Sequence, residues 1–440
     1  MQQGGELLSF EWIIRQLRET ATTLPDKRQG ENCHYSITDI ALSAFAVFFS
    51  QSPSFLDFQR GISRAQGQHN TASLFGVSDI PSDNHIRTIL DEVPADRLYP
   101  VFDGIVDQLS ASGALDQFRS INNDLLLTID GTEYYRSEKI SCPHCRVSHH
   151  SNGTTSYSHA VLTPAFVTPG RGDVIALSPE FIRKEDGKTK ADNEIVAAKR
   201  WLSRVEDHLS PLSVTVMGDD MFANQPFLTQ VSEAEMNFLC ICKPQSHRYL
   251  TEYIESLRAT GEIEHLTETE KSKRETRTIT YEWIEDVPIR DGDDAMRANW
   301  LSVAILGKDG KRIYTNSFIT NHPVSADTVA SLVEAGRARW KIENEDINTL
   351  KTKGYHLEHN FGHGTNHLSE TLATLNILAF LLHTLLDLYD QRYRLLRRER
   401  GHRSRFFQEL GTLLGYLYFD DWPSLMHFMI HQLKLPDPGG

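Results

Sequence analysis

At 440 residues the chain is long enough for two or three domains, and its formal net charge of −14 argues against a protein that simply coats nucleic acid. A hydrophobic share of 40% can fill a sizeable core, while 24% charged residues is ordinary for a chain that folds in water. Cys33, Cys142, Cys145, Cys240 and Cys242 are odd in number and unevenly spaced, which excludes a disulfide framework and fits a reducing cytoplasm.

The first residues, MQQGGELLSFEWIIRQLRET, break their apolar positions with charges and carry no signal-peptide pattern. Apolar spacing of three and four predicts helices around Leu7–Leu24, Ile37–Ser50 and Asp83–Val93, with Ser36 and Asp83 as N-caps. In the last of these, His85 and Arg87 are expected on the exposed side, on a helix that either contacts DNA or belongs to a plain bundle. At Leu125 the pattern changes. LLLTIDGTEYY reads as a buried strand whose end opens on a cleft, and SYSHAVLTPAFV and DVIALSPEFI follow as strands across the turn Pro169-Gly170-Arg171-Gly172. Next come an amphipathic helix (DNEIVAAKRWLSRVEDHL), the strand SVTVMGDD, a further helix, and the strand MNFLCICKP, where Cys240 and Cys242 read as small core residues. Three strands, helix, strand, helix, strand suits a mixed sheet flanked by helices, as in the RNase H fold.

Residues 243–321 read as a β-rich insertion containing Trp283 and Trp300, for which burial is the expected place. A long helix is then expected from about Ser325 through Lys351, and the remainder is helical. Its most apolar stretch, Leu375–Tyr389, is interrupted by His383 and Asp387 and is too short to span a bilayer, so no membrane partner is expected.

Asp130 and Asp219 each follow an apolar strand, so a sheet with those strands side by side brings both carboxylates to one edge. Glu343 lies four residues after Arg339 on one helical face, and Lys351 extends that face by about two turns. Two strand-end acids and a helical acid are what two-metal phosphodiester chemistry requires, because Mg²⁺ takes hard oxygen ligands from rigid elements. Cys142-Pro143-His144-Cys145, followed by His149, His150 and His159, is either a small zinc knuckle or a reduced CxxC turn. Nothing in the polar segment His356–Gly364 demands a metal. Between Arg392 and Arg405 stand seven arginines against one glutamate, the best site for phosphate contacts in an acidic chain.

At these residues the sequence resembles the bacterial insertion-sequence DDE transposases. Their first acid sits in Asp-Gly-Thr, here Asp130-Gly131-Thr132, and their second in Gly-Asp-x-x-aromatic, here Gly218-Asp219-Asp220-Met221-Phe222. The third belongs to a Tyr-x2-Arg-x3-Glu-x6-Lys signature, matched by Arg339 and Glu343, with Gly336 in place of the Tyr and Lys351 one residue late. Asp220 for Asp219 and Glu345 for Glu343 are the alternative assignments. The resemblance covers roughly residues 125–390.

It implies a mixed α/β chain in three parts: a helical region at 1–120 that helps bind transposon ends, an RNase H-like catalytic domain at 121–390 with its insertion at about 243–321, and a helical tail at 391–440. It further implies two Mg²⁺ (or Mn²⁺) ions on Asp130, Asp219 and Glu343, cleavage at transposon ends and strand transfer into target DNA. Arg339, Lys351, Arg394, Arg397, Arg398 and Arg403 are the expected DNA contacts, and a homodimer on double-stranded DNA in the bacterial cytoplasm the expected assembly. Two other readings stay open: an RNase H-fold nuclease that cuts without joining, and an inactive transposase descendant that binds DNA.

Overall fold

The computed structural model describes residues 8–28, 33–62, 69–186, 190–271 and 276–438. Thirteen strands are described: β1 (Leu125–Thr128), β2 (Gly131–Ser137), β3 (Arg146–His149), β4 (Thr155–Leu162), β5 (Ala165–Val167), β6 (Ile175–Ala176), β7 (Glu180–Ile182), β8 (Val214–Met217), β9 (Asn237–Ile241), β10 (Glu264–Lys271), β11 (Thr276–Pro288), β12 (Arg297–Gly307) and β13 (Arg312–Thr320). Nine of them form one mixed sheet in the order β10-β11-β12-β13-β9-β8-β1-β5-β6. At its centre β1, β8 and β9 run parallel, while β5 and β13 flank them antiparallel. Leu125, Leu126 and Leu127 are fully buried, as expected for a parallel strand covered on both faces.

Each of three strands expected as continuous is two. LLLTIDGTEYY divides at Ile129–Asp130, after which β2 joins a second sheet with β3, β4 and β7. The other two divide before Pro164 and around Pro179, residues that bring no N–H to a ladder. The insertion is not a separate β-unit. Its strands β10–β13 form an antiparallel meander that continues the main sheet through the pairing of Phe318 with Ile241, and it carries an unexpected helix, Arg248–Thr260. Trp283 and Trp300 are buried there.

The N-terminal and C-terminal helices share one core, so residues 391–438 are no appendage. Phe10 on helix Phe10–Ala21 stacks on Trp422 of helix Trp422–Gln432 at 4.6 Å. The Asn70 side chain donates to the Leu414 and Leu417 carbonyls at 2.8 and 2.7 Å and accepts from Phe419 N at 2.9 Å. Through this core runs the helix Leu368–Tyr389, at 22 residues longer than the apolar stretch suggested. By length and composition it could cross a membrane, but 89% of its apolar window is buried inside the protein. His383 sits in its middle without charge: burial holds its pKa well below the usual imidazole value, and its two nitrogens meet Phe49 O at 2.8 Å and Tyr393 Oη at 3.0 Å.

Two details of the helical reading change. Ser36 caps its helix as expected, whereas at the next one Ser82, not Asp83, accepts from the backbone at His85. His85 and Arg87 are half-buried: His85 packs on Tyr35, and the Arg87 guanidinium lies 5.5 Å from the Phe55 ring centre.

A carboxylate cluster and a thiol–imidazole cluster

The register of the central strands sets the first cluster. Thr128 of β1 pairs with Met217 of β8, so Asp130 and Asp219 each stand two residues beyond paired positions on adjacent parallel strands. The Ile129 amide donates to Met217 O at 3.1 Å, keeping both strand ends together up to that point. Each acid has a neighbouring glycine that close packing requires. A Cβ at Gly131 would lie 2.6 Å from the Glu194 carboxyl carbon, and one at Gly218 would lie 2.5 Å from Phe222 Cβ. The glycine and the aromatic of Gly-Asp-x-x-Phe are therefore one packing unit, with the Asp219 carboxylate accepting from Met221 N at 3.0 Å inside it.

The third acid arrives on a distorted helix. The expected helix begins at Val329 rather than Ser325, runs to Ala338, and continues through a π-helical turn, Ile342–Ile347, into Asn348–Thr352. Arg339, only 13% exposed, reaches Glu343 at 2.6 Å and Asp130 at 3.8 Å. Among the described residues its Nε and Nη1 have no hydrogen-bond partner, although they are buried and Nη1 faces Asp130. Burial pushes the Asp130 carboxyl up to about 6; Arg339 opposes that shift, while Glu343 and Asp219 add to it. Asp130 thus senses both other acids. A fourth acid, which the sequence reading passed over, lies beside it: Asp346 is fully buried, neither oxygen is hydrogen-bonded among the described residues, and its pKa is raised well above the usual carboxylate value by burial and by Asp130.

The alternative acids point elsewhere. Asp220 accepts from Lys243 N and Ser246 Oγ, both at 2.5 Å, and pairs with His247 at 3.3 Å. Burial disfavours its charge, but these bonds prevail and hold its pKa below the usual value. Glu345 opens on a cleft lined by Asp173, Lys353, Arg397 and Arg403.

Gly336, which stands where the resembled family has Tyr, has a steric cause. A Cβ there would meet the fully buried Phe318 ring at 2.7 Å, so the helix lies directly on β13. Gly336→Tyr is expected to destabilise the protein by about 3 kcal/mol, with Gly336→Ala less severe because its helix propensity partly offsets the clash. Thermal melts of both variants check this. A Gly336→Tyr protein as stable as the native one would contradict it.

The expected DNA contacts are not a uniform stripe. Lys351 is committed to the chain, donating to Glu133 O at 2.8 Å and pairing with Glu358 at 2.8 Å. Arg394 bonds Leu388 O at 3.3 Å. Arg397 lies against the Phe406 and Phe407 rings at 5.5 and 5.8 Å, and Arg403 donates to Tyr355 Oη at 2.6 Å over its ring. Arg398 and Arg405 are the members that face solvent. Two of the seven cations thus lie against rings, Arg397 on Phe406 and Phe407 and Arg403 on Tyr355, while Arg392 pairs with Asp437 and Arg400 and Arg405 with Glu409.

The second cluster joins distant parts of the chain. Cys142 Sγ lies 3.8 Å from Cys145 Sγ and 3.4 Å from His159 Nε2. Cys145 Sγ lies 3.5 Å from His159 Nε2 and 3.3 Å from His363 Nε2. All four donor atoms fall within 4.8 Å of one another, and among the described residues no other group of this kind is compact enough to hold a metal as it stands. His149 and His150 are not members; they bond Thr155 and Ser156. His363 comes from the segment in which no metal ligand was expected.

Comparison with protein-family models returned no match, and comparison with curated proteins returned none either.

Proposed function

We propose that the protein is a DDE transposase that cuts DNA at transposon ends and joins them to target DNA. The observation that carries this reading is the placement of Asp130 and Asp219 at matched positions past adjacent parallel strands, with Glu343 joined to Asp130 through Arg339. The element order around them supports an RNase H-like core, with β1, β5 and β6, a helix, β8, a helix, and β9 building one half of the mixed sheet.

The donors suit hard divalent cations. All three are carboxylates, and the Asp130 pKa, raised chiefly by burial and lowered by Arg339, is raised further by Glu343 and Asp219. Asp130, Asp219 and Glu343 would hold Mg²⁺ or Mn²⁺. Such ions activate a water or a 3′-hydroxyl and stabilise the leaving oxygen of an in-line displacement. Arg339 orients Glu343, and its buried Nε and Nη1, which make no hydrogen bond among the described residues, can turn to a DNA phosphate.

Double-stranded DNA and a second copy of the chain are the proposed partners. The solvent-facing Arg398 and Arg405 are the proposed phosphate contacts from the basic stretch. Arg398→Glu with Arg405→Glu is expected to weaken DNA binding about equally on every sequence and to flatten its salt dependence by about one unit per residue. Unchanged salt dependence in a titration series would remove this face from the interface.

Function is tested by incubating the full-length protein and Mn²⁺ with DNA carrying the sequences that flank its gene. Nicked ends and joined products support the transposase reading. Cleavage without joining favours a nuclease, and binding without metal-dependent cleavage favours a non-catalytic descendant.

A further inference from the structure

We propose that Cys142, Cys145, His159 and His363 bind one structural Zn²⁺, which clamps the hairpin that follows Asp130 to the loop that follows the Glu343 helix. A tetrahedral zinc with Zn–S of about 2.3 Å and Zn–N of about 2.05 Å sets edges of about 3.8 Å between sulfurs and about 3.5 Å between sulfur and nitrogen. The sulfur–sulfur distance is 3.8 Å, three of the four sulfur–nitrogen distances are 3.4, 3.5 and 3.3 Å, and all four donor atoms lie within 4.8 Å of one another. A disulfide does not account for the cluster, since an S–S bond is about 2.05 Å long and both cysteines are free.

Local structure builds the knuckle. Pro143 and His144 turn the chain so that Cys145 N donates to Cys142 O at 3.2 Å, and the Cys142 amide points at Cys145 Sγ at 3.3 Å. Strand β3 starts directly after Cys145 and pairs Arg146 with Ser158, which sets His159 beside the thiols. The fourth ligand is 218 residues further along the chain, with the His363 ring against Tyr135 at 4.5 Å. Cys145 and His159 are buried and the other two half-buried, and all four positions are filled by protein. Such a closed set belongs to a structural ion rather than a catalytic one.

The clamp links the segments on either side of the carboxylate cluster. Strand β2 begins at Gly131, next to Asp130, and Lys351 already donates to Glu133 O on that strand. A zinc at His363 adds a second tie between the same two regions. The proposal stands apart from the transposase reading, because none of its ligands belongs to the acid cluster.

The test measures the metal content of full-length protein purified without chelator, followed by Co²⁺ titration of the stripped protein. About one zinc per chain is expected, with the visible absorption of tetrahedral Co²⁺ bound by two thiolates and two imidazoles. His149→Ala is expected to keep the zinc, and His363→Ala to weaken it at least about tenfold in chelator competition. Substoichiometric zinc together with a Co²⁺-silent native chain would overturn the proposal, as would a folded His363→Ala protein that binds zinc as tightly as the native one. If His363→Ala does not fold, the Co²⁺ spectrum of the native chain decides: a tetrahedral two-thiolate spectrum upholds the site and its absence rejects it.

Discussion

Asp130→Asn is expected to lower metal-dependent DNA cleavage by roughly a thousandfold or more, because an amide is a poor ligand for Mg²⁺. The same substitution should make the metal-free fold more stable at high pH. Burial, Glu343 and Asp219 raise the Asp130 carboxyl from 3.8 to about 6. A raised acid pKa contributes stability that is fully present below the unfolded value and is lost as pH rises through the folded one. Above pH 6 the ionised carboxylate therefore opposes folding by about 3 kcal/mol. Asparagine carries no such charge. In chelator, Asp130→Asn should melt above the native protein at pH 8 and close to it at pH 4. Mn²⁺ should raise the melting temperature of the native protein and leave the variant nearly unmoved. A variant that melts below the native protein at pH 8 would show that the carboxylate is not held against its charge.

Asp219→Asn and Asp220→Asn should separate completely, although the residues are adjacent. Asp219→Asn is expected to abolish cleavage to a similar degree as Asp130→Asn, by roughly a thousandfold. Asp220→Asn should keep cleavage within about tenfold of native and instead lose roughly 1.5–3 kcal/mol of stability, the usual worth of hydrogen bonds to a charged group. The reason is geometric: Asp220 holds the loop at Lys243, Ser246 and His247. The partner pair is Glu343→Gln, expected inactive, and Glu345→Gln, expected active. Paired assays of cleavage and urea unfolding read both effects. An inactive, stable Asp220→Asn protein would transfer the role to Asp220.

What the sequence made visible depended on the range of the interaction. Asp130 and Asp219 were legible because an apolar run ending in an acid is a local pattern, and parallel pairing of the two runs then placed them together. The breaks in the expected strands were less visible, since periodicity cannot show that a chain leaves one sheet for another at Asp130. The single extra residue before Lys351 has a physical counterpart in the π-turn Ile342–Ile347, which takes up one residue and returns Lys351 to the strand at Glu133. No helical-wheel reading anticipates that turn. Gly336 read as a missing Tyr until the Phe318 ring explained it.

Long-range partners were the least legible. The sequence left Cys142-Pro143-His144-Cys145 open between a zinc knuckle and a reduced CxxC turn, and His149 and His150 were nearer in sequence than His363 and equally suitable in type. Only the fold places His363 at the thiols. Asp346 was hidden for a similar reason, because its burial next to Asp130 follows from the π-turn that rotates it inward. The arginine stretch read as one basic face, while rings hold Arg397 and Arg403 and carboxylates from distant positions hold Arg392 and Arg400.

The central claim is that Asp130, Asp219 and Glu343 share divalent metal, and a crystal of the native protein soaked in Mn²⁺ tests it most directly through anomalous scattering. The account predicts manganese peaks bonded to oxygens of all three carboxylates, with Arg339 displaced from Glu343 or Asp130 to admit them. Manganese absent from these acids at concentrations that fill other carboxylate sites, with Arg339 still bridging Glu343 and Asp130, would contradict it.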